Sequence, residues 1–138
     1  MDYKKLSLLV LIILVLNLIW EFSHYKLYFD LTGIPSNLHL VLASFVDVIL
    51  IFIIILLIAS IKKKLSWINN PSKGDYVFFI IVNFVLAFIW ELININLGRW
   101  AYKEIMPTIF GVGLSPILQL PITAGLSLFL FNWLSKKF

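Results

Sequence analysis

Apolar residues run along this chain in four long blocks, and the short stretches between them hold most of the charges. The blocks cover about residues 6–22, 38–60, 76–95 and 109–134. The apolar residues are continuous within each block and do not follow the period of a half-buried helix or strand. A helix needs about 20 apolar residues to cross a bilayer core. The pattern therefore predicts an all-α polytopic membrane protein, residues 1–138, with four transmembrane helices in a single domain.

Composition agrees with this class. The chain is 62% hydrophobic and only 13% charged, and its mean hydropathy is +1.02. Backbone groups in lipid must be paired within the protein, which favours helices, and the alternating strands of a barrel are absent. The lack of cysteine excludes disulfides and thiolate chemistry. The net charge of +4 comes from lysines at segment ends, where they anchor helices, so no nucleic-acid partner is expected.

Lysine and arginine are distributed unevenly between the two ends of the predicted helices. Eight lie at the end shared by both termini and the 61–75 loop, against three in the other two loops. The positive-inside rule then predicts a cell-membrane protein with both termini and the 61–75 loop in the cytoplasm. The three on the opposite side are Lys26, Arg99 and Lys103.

The tripeptide Ile-Trp-Glu occurs twice, ending at Glu21 and at Glu91. Both copies fall at the outer end of a predicted helix, in the first and the third block. The match indicates two helix hairpins in parallel orientation, an internal repeat about an axis along the membrane normal.

Polar residues inside the first, third and fourth blocks recur at helical spacing, which puts them on one face of each helix, and the second block also carries three. Most lie toward the outer side, and Asp47 is the deepest, roughly 13 Å below the start of its helix at 1.5 Å per residue. Intramembrane ionisable groups usually face a bundle interior or a watery cavity. The four stripes are Asn17, Glu21 and His24; His39, Ser44 and Asp47; Asn83, Glu91 and Asn94; and Ser115, Gln119 and Thr123.

These stripes predict a pocket in the outer half of the bundle, with Glu21 and Glu91 on opposite walls. Asp47 would lie at its floor or side, either protonated or paired with Ser44, Gln119 or His39. The candidates for catalysis are Glu21, Asp47 and Glu91. The candidates for ligand binding are Asn17, His24, His39, Asn94, Arg99, Trp100, Tyr102 and Gln119.

The fourth block is interrupted by glycines and prolines in its outer part, "GVGLSPILQLP". Ser115 followed by Pro116 indicates an N-cap and a proline at the first helical position, with residues 111–113 as a loop or re-entrant segment before the helix. Pro121 frees a carbonyl inside the helix. A broken helix beside polar residues is typical of transporter binding sites, and a kink for packing explains it equally well.

No cofactor and no metal is expected. Glu21 and His24 have the Glu-x-x-His spacing of carboxylate-bridged metal bundles. The motif occurs once, whereas those bundles use it twice, and the position of His24 near a loop is typical of an ordinary interface histidine.

One stretch carries a family resemblance: Trp90-Glu91, Gly98-Arg99-Trp100-Ala101-Tyr102, Met106-Pro107 and Gly113-Leu114-Ser115-Pro116. It resembles small prokaryotic four-helix membrane proteins and, distantly, carotenoid-modifying membrane enzymes of the lycopene cyclase and bisanhydrobacterioruberin hydratase type. The resemblance implies a lipid or isoprenoid ligand. The acidic pair that follows a proline in the cyclases is missing, since Ile122 and Thr123 follow Pro121.

Three functions fit the sequence. The first is a lipid- or isoprenoid-binding protein or membrane enzyme, whose buried carboxyl groups act as general acids. The second is a small proton- or cation-coupled transporter. The third is a scaffold or assembly subunit without catalysis, which forms homo- or hetero-oligomers through helix packing. Membrane lipids are expected partners in all three.

Overall fold

The computed structural model of the protein describes residues 3–30 and 35–137, so residues 1, 2, 31–34 and 138 of the predicted domain lie outside it. The described residues form four long α-helices, all long and apolar enough to cross a membrane. The prediction of an all-α, multi-pass membrane protein is confirmed. The helices are α1 (Tyr3–His24), α2 (Ser36–Lys62), α3 (Lys73–Asn96) and α4 (Leu114–Ser135).

Local signals explain two helix ends between α2 and α3. α2 ends at Lys62, and its C-cap residue Lys63 adopts a left-handed conformation with φ of 51°. α3 begins with a capping box, in which Ser72 accepts from the backbone N–H of Asp75 and Asp75 accepts from the backbone N–H of Ser72. Between them lies a short 3-10 helix, Leu65–Asn69.

The start of α4 differs from the sequence prediction. Residues 109–113 are not helical but belong to a small antiparallel hairpin of β1 (Thr108–Ile109) and β2 (Val112–Gly113). Its turn uses two positive φ angles, 52° at Phe110 and 78° at Gly111. Such a turn matches the twist of paired strands and favours glycine.

The predicted N-cap at Ser115 is therefore wrong. Because β2 extends through Gly113, the helix begins at Leu114 with Gly113 as its N-cap and no side-chain cap. Pro116 still lies in the first turn, where a missing N–H breaks no helical hydrogen bond. Pro121 lies inside α4, as the sequence indicated.

α4 is central to the packing of the four helices. It packs against α1 and α3, α1 also packs against α2, and α2 and α3 meet much less closely than α3 and α4. At one end of the bundle, the loops after α1 and α3 pair in a β-bridge between Tyr28 and Tyr102. At the other end, Asn132 of α4 donates to the carbonyl of Ile68 in the 3-10 helix. Consecutive helices therefore run in opposite directions.

The two halves of the bundle differ in chemistry. The half next to the 3-10 helix, here called the apolar half, has a close-packed core. The half next to the Tyr28–Tyr102 bridge, here called the polar half, holds most of the buried polar side chains. The outward faces of the helices remain covered by large exposed apolar residues, as expected where lipid surrounds them. Core residues of the apolar half are Leu9, Ile13, Ile51, Ile55, Phe79 and Leu128.

Candidate functional site

A cavity of about 280 Å³ lies in the polar half, lined by residues from all four helices and the two loops at that end. Its acidic lining consists of Glu21 from α1, Asp47 from α2 and Glu91 from α3. These three residues are 9%, 9% and 4% exposed, so all three are withdrawn from the outer surface of the bundle. The prediction that Glu21 and Glu91 turn toward the bundle is confirmed.

Gln119 of α4 is the centre of one polar cluster. Its Nε2 lies 2.8 Å from Oε1 of Glu21 and 2.7 Å from Oδ2 of Asp47. The predicted pairing of Asp47 with Gln119 is confirmed. Ser44 instead bonds the carbonyl of Leu40 in its own helix.

Asn17 of α1 also belongs to this cluster. Its Oδ1 lies 3.3 Å from Nε2 of Gln119 and also accepts from Oγ1 of Thr123 at 3.1 Å. An amide nitrogen has only two hydrogens. The contacts of Nε2 with Glu21 and Asp47 are shorter than its contact with Asn17, so the two hydrogens of Gln119 point to the two carboxyl groups.

Glu91 is the centre of a second cluster, on the opposite wall. Its Oε1 accepts from the hydroxyl of Tyr102 at 2.6 Å, from Nε1 of Trp100 at 2.9 Å and from the hydroxyl of Tyr28 at 3.1 Å. Its Oε2 takes no hydrogen bond from the described residues. Three donors on one oxygen fix the carboxyl group and leave the other oxygen available to a ligand.

The two tyrosines keep their protons in this setting. Burial raises the pKa of Tyr28 far above its ordinary value, and the negative charge of Glu91 raises it further. Burial and the hydrogen bond to Glu91 likewise raise the pKa of Tyr102. Both hydroxyls therefore remain donors throughout the physiological pH range.

His24 connects α1 to the start of α4. Its Nδ1 lies 2.8 Å from Oγ of Ser115, and its Nε2 lies 3.3 Å from Oε2 of Glu21. The ring of Tyr28 packs edge-on against the imidazole with centroids 5.2 Å apart. The imidazole is thus held on both nitrogens and on one face.

Arg99 brings a positive charge to the cavity. Its Nη1 donates to Oδ1 of Asn94 at 2.9 Å, and no carboxylate within the described ranges forms an ion pair with it. The ring of His39 lies 6.5 Å from that of Trp100, and both line the cavity.

Most of the sequence-predicted residues meet at this cavity, and two do not line it. Asn17 bonds Gln119 and Tyr102 bonds Glu91, so both contact residues of the lining, and their contact with a ligand stays a prediction. Asn83 lies apart and bonds only the carbonyl of Phe79 in its own helix. The predicted residues that line the cavity are Glu21, His24, His39, Asp47, Glu91, Asn94, Arg99, Trp100 and Gln119.

The sequence analysis missed Tyr28 and the pairing of Ser115 with His24. Tyr28 stands four residues after His24, but it lies beyond the end of α1, where helical spacing does not predict which residues share a face. No local signal predicts that two loops 70 residues apart will deliver hydroxyls to one carboxylate. Among the described residues, no group of three or more His, Asp or Glu side chains has the geometry of a metal site.

Comparisons of the chain with protein-family models, with curated proteins and with solved structures found no match. The fold and the site by themselves define the class, a four-helix membrane protein with an acidic cavity in one half of the bundle.

Proposed function

We propose that this is a cell-membrane protein that binds a lipid or isoprenoid in the polar half of the bundle. The carrying observation is a cavity with apolar walls and three buried carboxyl groups. Its volume of about 280 Å³ is near the lower limit of small-molecule sites. It suits the polar end of an amphiphile and the first part of its chain.

The rest of the ligand's apolar chain would leave the cavity laterally, between α2 and α3. These helices meet less closely than α3 and α4, and both contribute lining residues. Leu42 of α2 lines the cavity although it is half exposed on the outer surface. A side opening at such a residue lets an apolar chain pass from the cavity into the surrounding lipid.

The carboxyl groups would hold the polar end of the ligand. Glu21 and Asp47 share one amide donor in a site shielded from water, and two negative charges that close repel strongly. Asp47 is the deepest of the three carboxyl groups and the best-placed general acid if the ligand is also transformed. Oε2 of Glu91 accepts a hydroxyl from the opposite side.

The isoprenoid part of the proposal rests on the resemblance to carotenoid-modifying enzymes. Trp100 and Tyr102, two residues of that resemblance, converge on Glu91, a third. The matching positions of Glu21 and Glu91 on opposite walls also support the proposed internal repeat.

A transporter is supported less well. The bridged carboxyl groups resemble a proton site, but the hydrogen-bonded chain within the described ranges goes no deeper than Thr123. Below it, Ile13, Ile51, Phe79 and Leu128 pack closely and leave no cavity a water can enter. Because the apolar half is closed in this way, the structure favours binding from the polar half over transport across the membrane.

Identification of copurifying lipid tests the proposal. Protein is extracted in detergent, and bound molecules are identified by mass spectrometry. Ala43 lines the cavity, so Ala43→Trp fills it and should abolish the bound species. The control, Ile53→Trp, places the same ring on an exposed site of the same helix and should retain them. An equal lipid profile for both variants would refute lipid binding in the cavity.

A further inference from the structure

The linked side chains Glu21, His24 and Ser115 have the hydrogen-bond order of an acyl-transfer triad. Oγ of Ser115 lies 2.8 Å from one imidazole nitrogen of His24, and Oε2 of Glu21 lies 3.3 Å from the other. A neutral imidazole donates from one nitrogen and accepts on the other. With its proton on Nε2 it donates to Glu21, and Nδ1 accepts the hydroxyl proton of Ser115. Such triads are recognised by geometry and role, not by chain order.

Two further features suit Ser115 to nucleophilic attack. It lies in the first turn of α4, where backbone N–H groups have no partners within the helix. The N–H of Leu114 is taken by the carbonyl of Pro107, Pro116 has none, and that of Ser115 itself has no backbone acceptor within the described ranges. A free N–H beside the nucleophile, at the positive end of a helix, stabilises a developing oxyanion.

The position of Ser115 also fits a lipid-sized substrate. It is partly exposed, and its neighbours His24 and Pro116 line the cavity. An amphiphile whose chain lies along the apolar walls would bring its polar end to this edge. A carboxylic ester is the group whose cleavage needs a serine, a base and an oxyanion site.

We propose that Ser115 and His24 form a catalytic pair for cleavage of an acyl ester of a lipid or isoprenoid alcohol, with Glu21 as the residue that positions His24. This deepens the proposed function and rests on it. Oγ of Ser115 bonds to the ester carbonyl carbon while its proton moves to Nδ1 of His24. The carbon–oxygen bond to the alcohol breaks, and the alcohol leaves with that proton. Water then attacks the acyl-serine, gives one proton to His24, releases the acid and restores the Ser115 hydroxyl.

A hexadecyl fluorophosphonate tests the assignment without a known substrate. An activated serine displaces fluoride and forms a stable bond to phosphorus, which mass spectrometry locates. In the intact wild-type protein in detergent, Ser115 should carry the label. His24→Gln should slow labelling at least about a hundredfold, the scale of one general base. Ser23→Ala, which removes an exposed neighbouring hydroxyl bonded only within α1, should label at the wild-type rate.

Hydrolysis of p-nitrophenyl palmitate separates positioning from structure. Glu21→Gln keeps an acceptor for His24 but removes the charge that stabilises its imidazolium, so kcat should fall while KM changes little. An unlabelled Ser115 in folded wild-type protein, or equal labelling in His24→Gln, would overturn the inference. If lipid copurifies but Ser115 is not labelled, the ester-cleavage proposal is refuted and the lipid-binding proposal is retained. If Ser115 is labelled but no lipid copurifies, the lipid-binding proposal is refuted and Ser115 is retained as a reactive serine.

Discussion

The backbones of Tyr28 and Tyr102 pair in a single β-bridge, and the hydroxyls of both residues donate to the same oxygen of Glu91. One contact between two loops therefore closes the polar half of the bundle and sets the orientation of a buried carboxyl group. The β-bridge is extended by hydrogen bonds from Phe29 to Ala101 and from Lys103 to Leu27.

Removal of the Tyr102 hydroxyl should destabilise the protein. Tyr102→Phe withdraws the shortest of the three donors to Glu91 while two donors remain, so the expected loss is that of one hydrogen bond, about 0.5–1.5 kcal/mol. Tyr28→Phe should cost less, because its hydrogen bond is longer at 3.1 Å. Thermal unfolding in detergent measures both changes. Tyr3→Phe, at a tyrosine 86% exposed, is the control, and an equal effect there would contradict the prediction.

The same tyrosines predict a pH dependence. Their pKa values are raised in the folded protein, so the folded state holds these protons more tightly than the unfolded state. The stability they contribute is present below the ordinary tyrosine pKa of about 10 and declines as the pH rises above it. The double variant Tyr28→Phe, Tyr102→Phe should lose stability less steeply than wild type between about pH 10 and 11. Parallel curves for the two proteins would show that neither tyrosine is the cause.

Gln119 should be more important for stability than a single hydrogen bond suggests. Gln119→Leu removes the donor shared by Glu21 and Asp47, which leaves two buried carboxyl groups without it. We expect a loss of about 2 kcal/mol or more. Leu126→Ala changes an exposed side chain on the same helix and should stay within about 0.5 kcal/mol of wild type. A similar melting temperature for both variants would remove Gln119 as the centre of the cluster.

Two variants of Asp47 distinguish a structural role of this residue from a role in proton transfer. Asp47→Asn keeps the size and the acceptor for Gln119, so it should fold with near wild-type stability, whereas Asp47→Leu should be destabilised. Growth complementation then separates the roles, since a proton donor is lost in both variants and a structural residue only in the leucine variant. Normal growth and stability for both variants would exclude either role.

Reporter fusions test the proposed orientation. Fusions at residue 68 and after residue 138 should report the cytoplasm, and a fusion at residue 104 should report the outside. The expectation follows from the eight lysines at one end of the bundle against three cationic residues at the other. A cytoplasmic signal at residue 104 would overturn it.

The sequence was sufficient for the class and for the ends of the first three helices to within a few residues. A helix in lipid must pair its own backbone and expose apolar side chains, and both requirements can be read locally. It also predicted that Asp47 faces inward, because so short a side chain at that depth cannot reach water, and that Glu21 and Glu91 do so, because polar residues share their helix faces.

The apolar block placed the start of α4 too early, because residues 109–113 are apolar enough to continue it, whereas the Ser115-Pro116 signal correctly put residues 111–113 before the helix. Their pairing into a hairpin depends on positive φ angles at Phe110 and Gly111, and the hydropathy of a segment carries no information about backbone angles. With the helix starting at Leu114, Ser115 faces His24 instead of capping the helix.

By itself the sequence determined four membrane-length helices and the polar residues that had to be buried. In lipid, each segment must form its own backbone hydrogen bonds and turn its polar side chains away from the acyl chains, whatever the other segments do. Only the tertiary structure decided which partners those residues have. Gln119 meets Glu21 and Asp47, and Tyr28 meets Glu91, through contacts between positions 63 to 98 residues apart. Such contacts arise from the packing of whole helices and loops, and no local pattern specifies them.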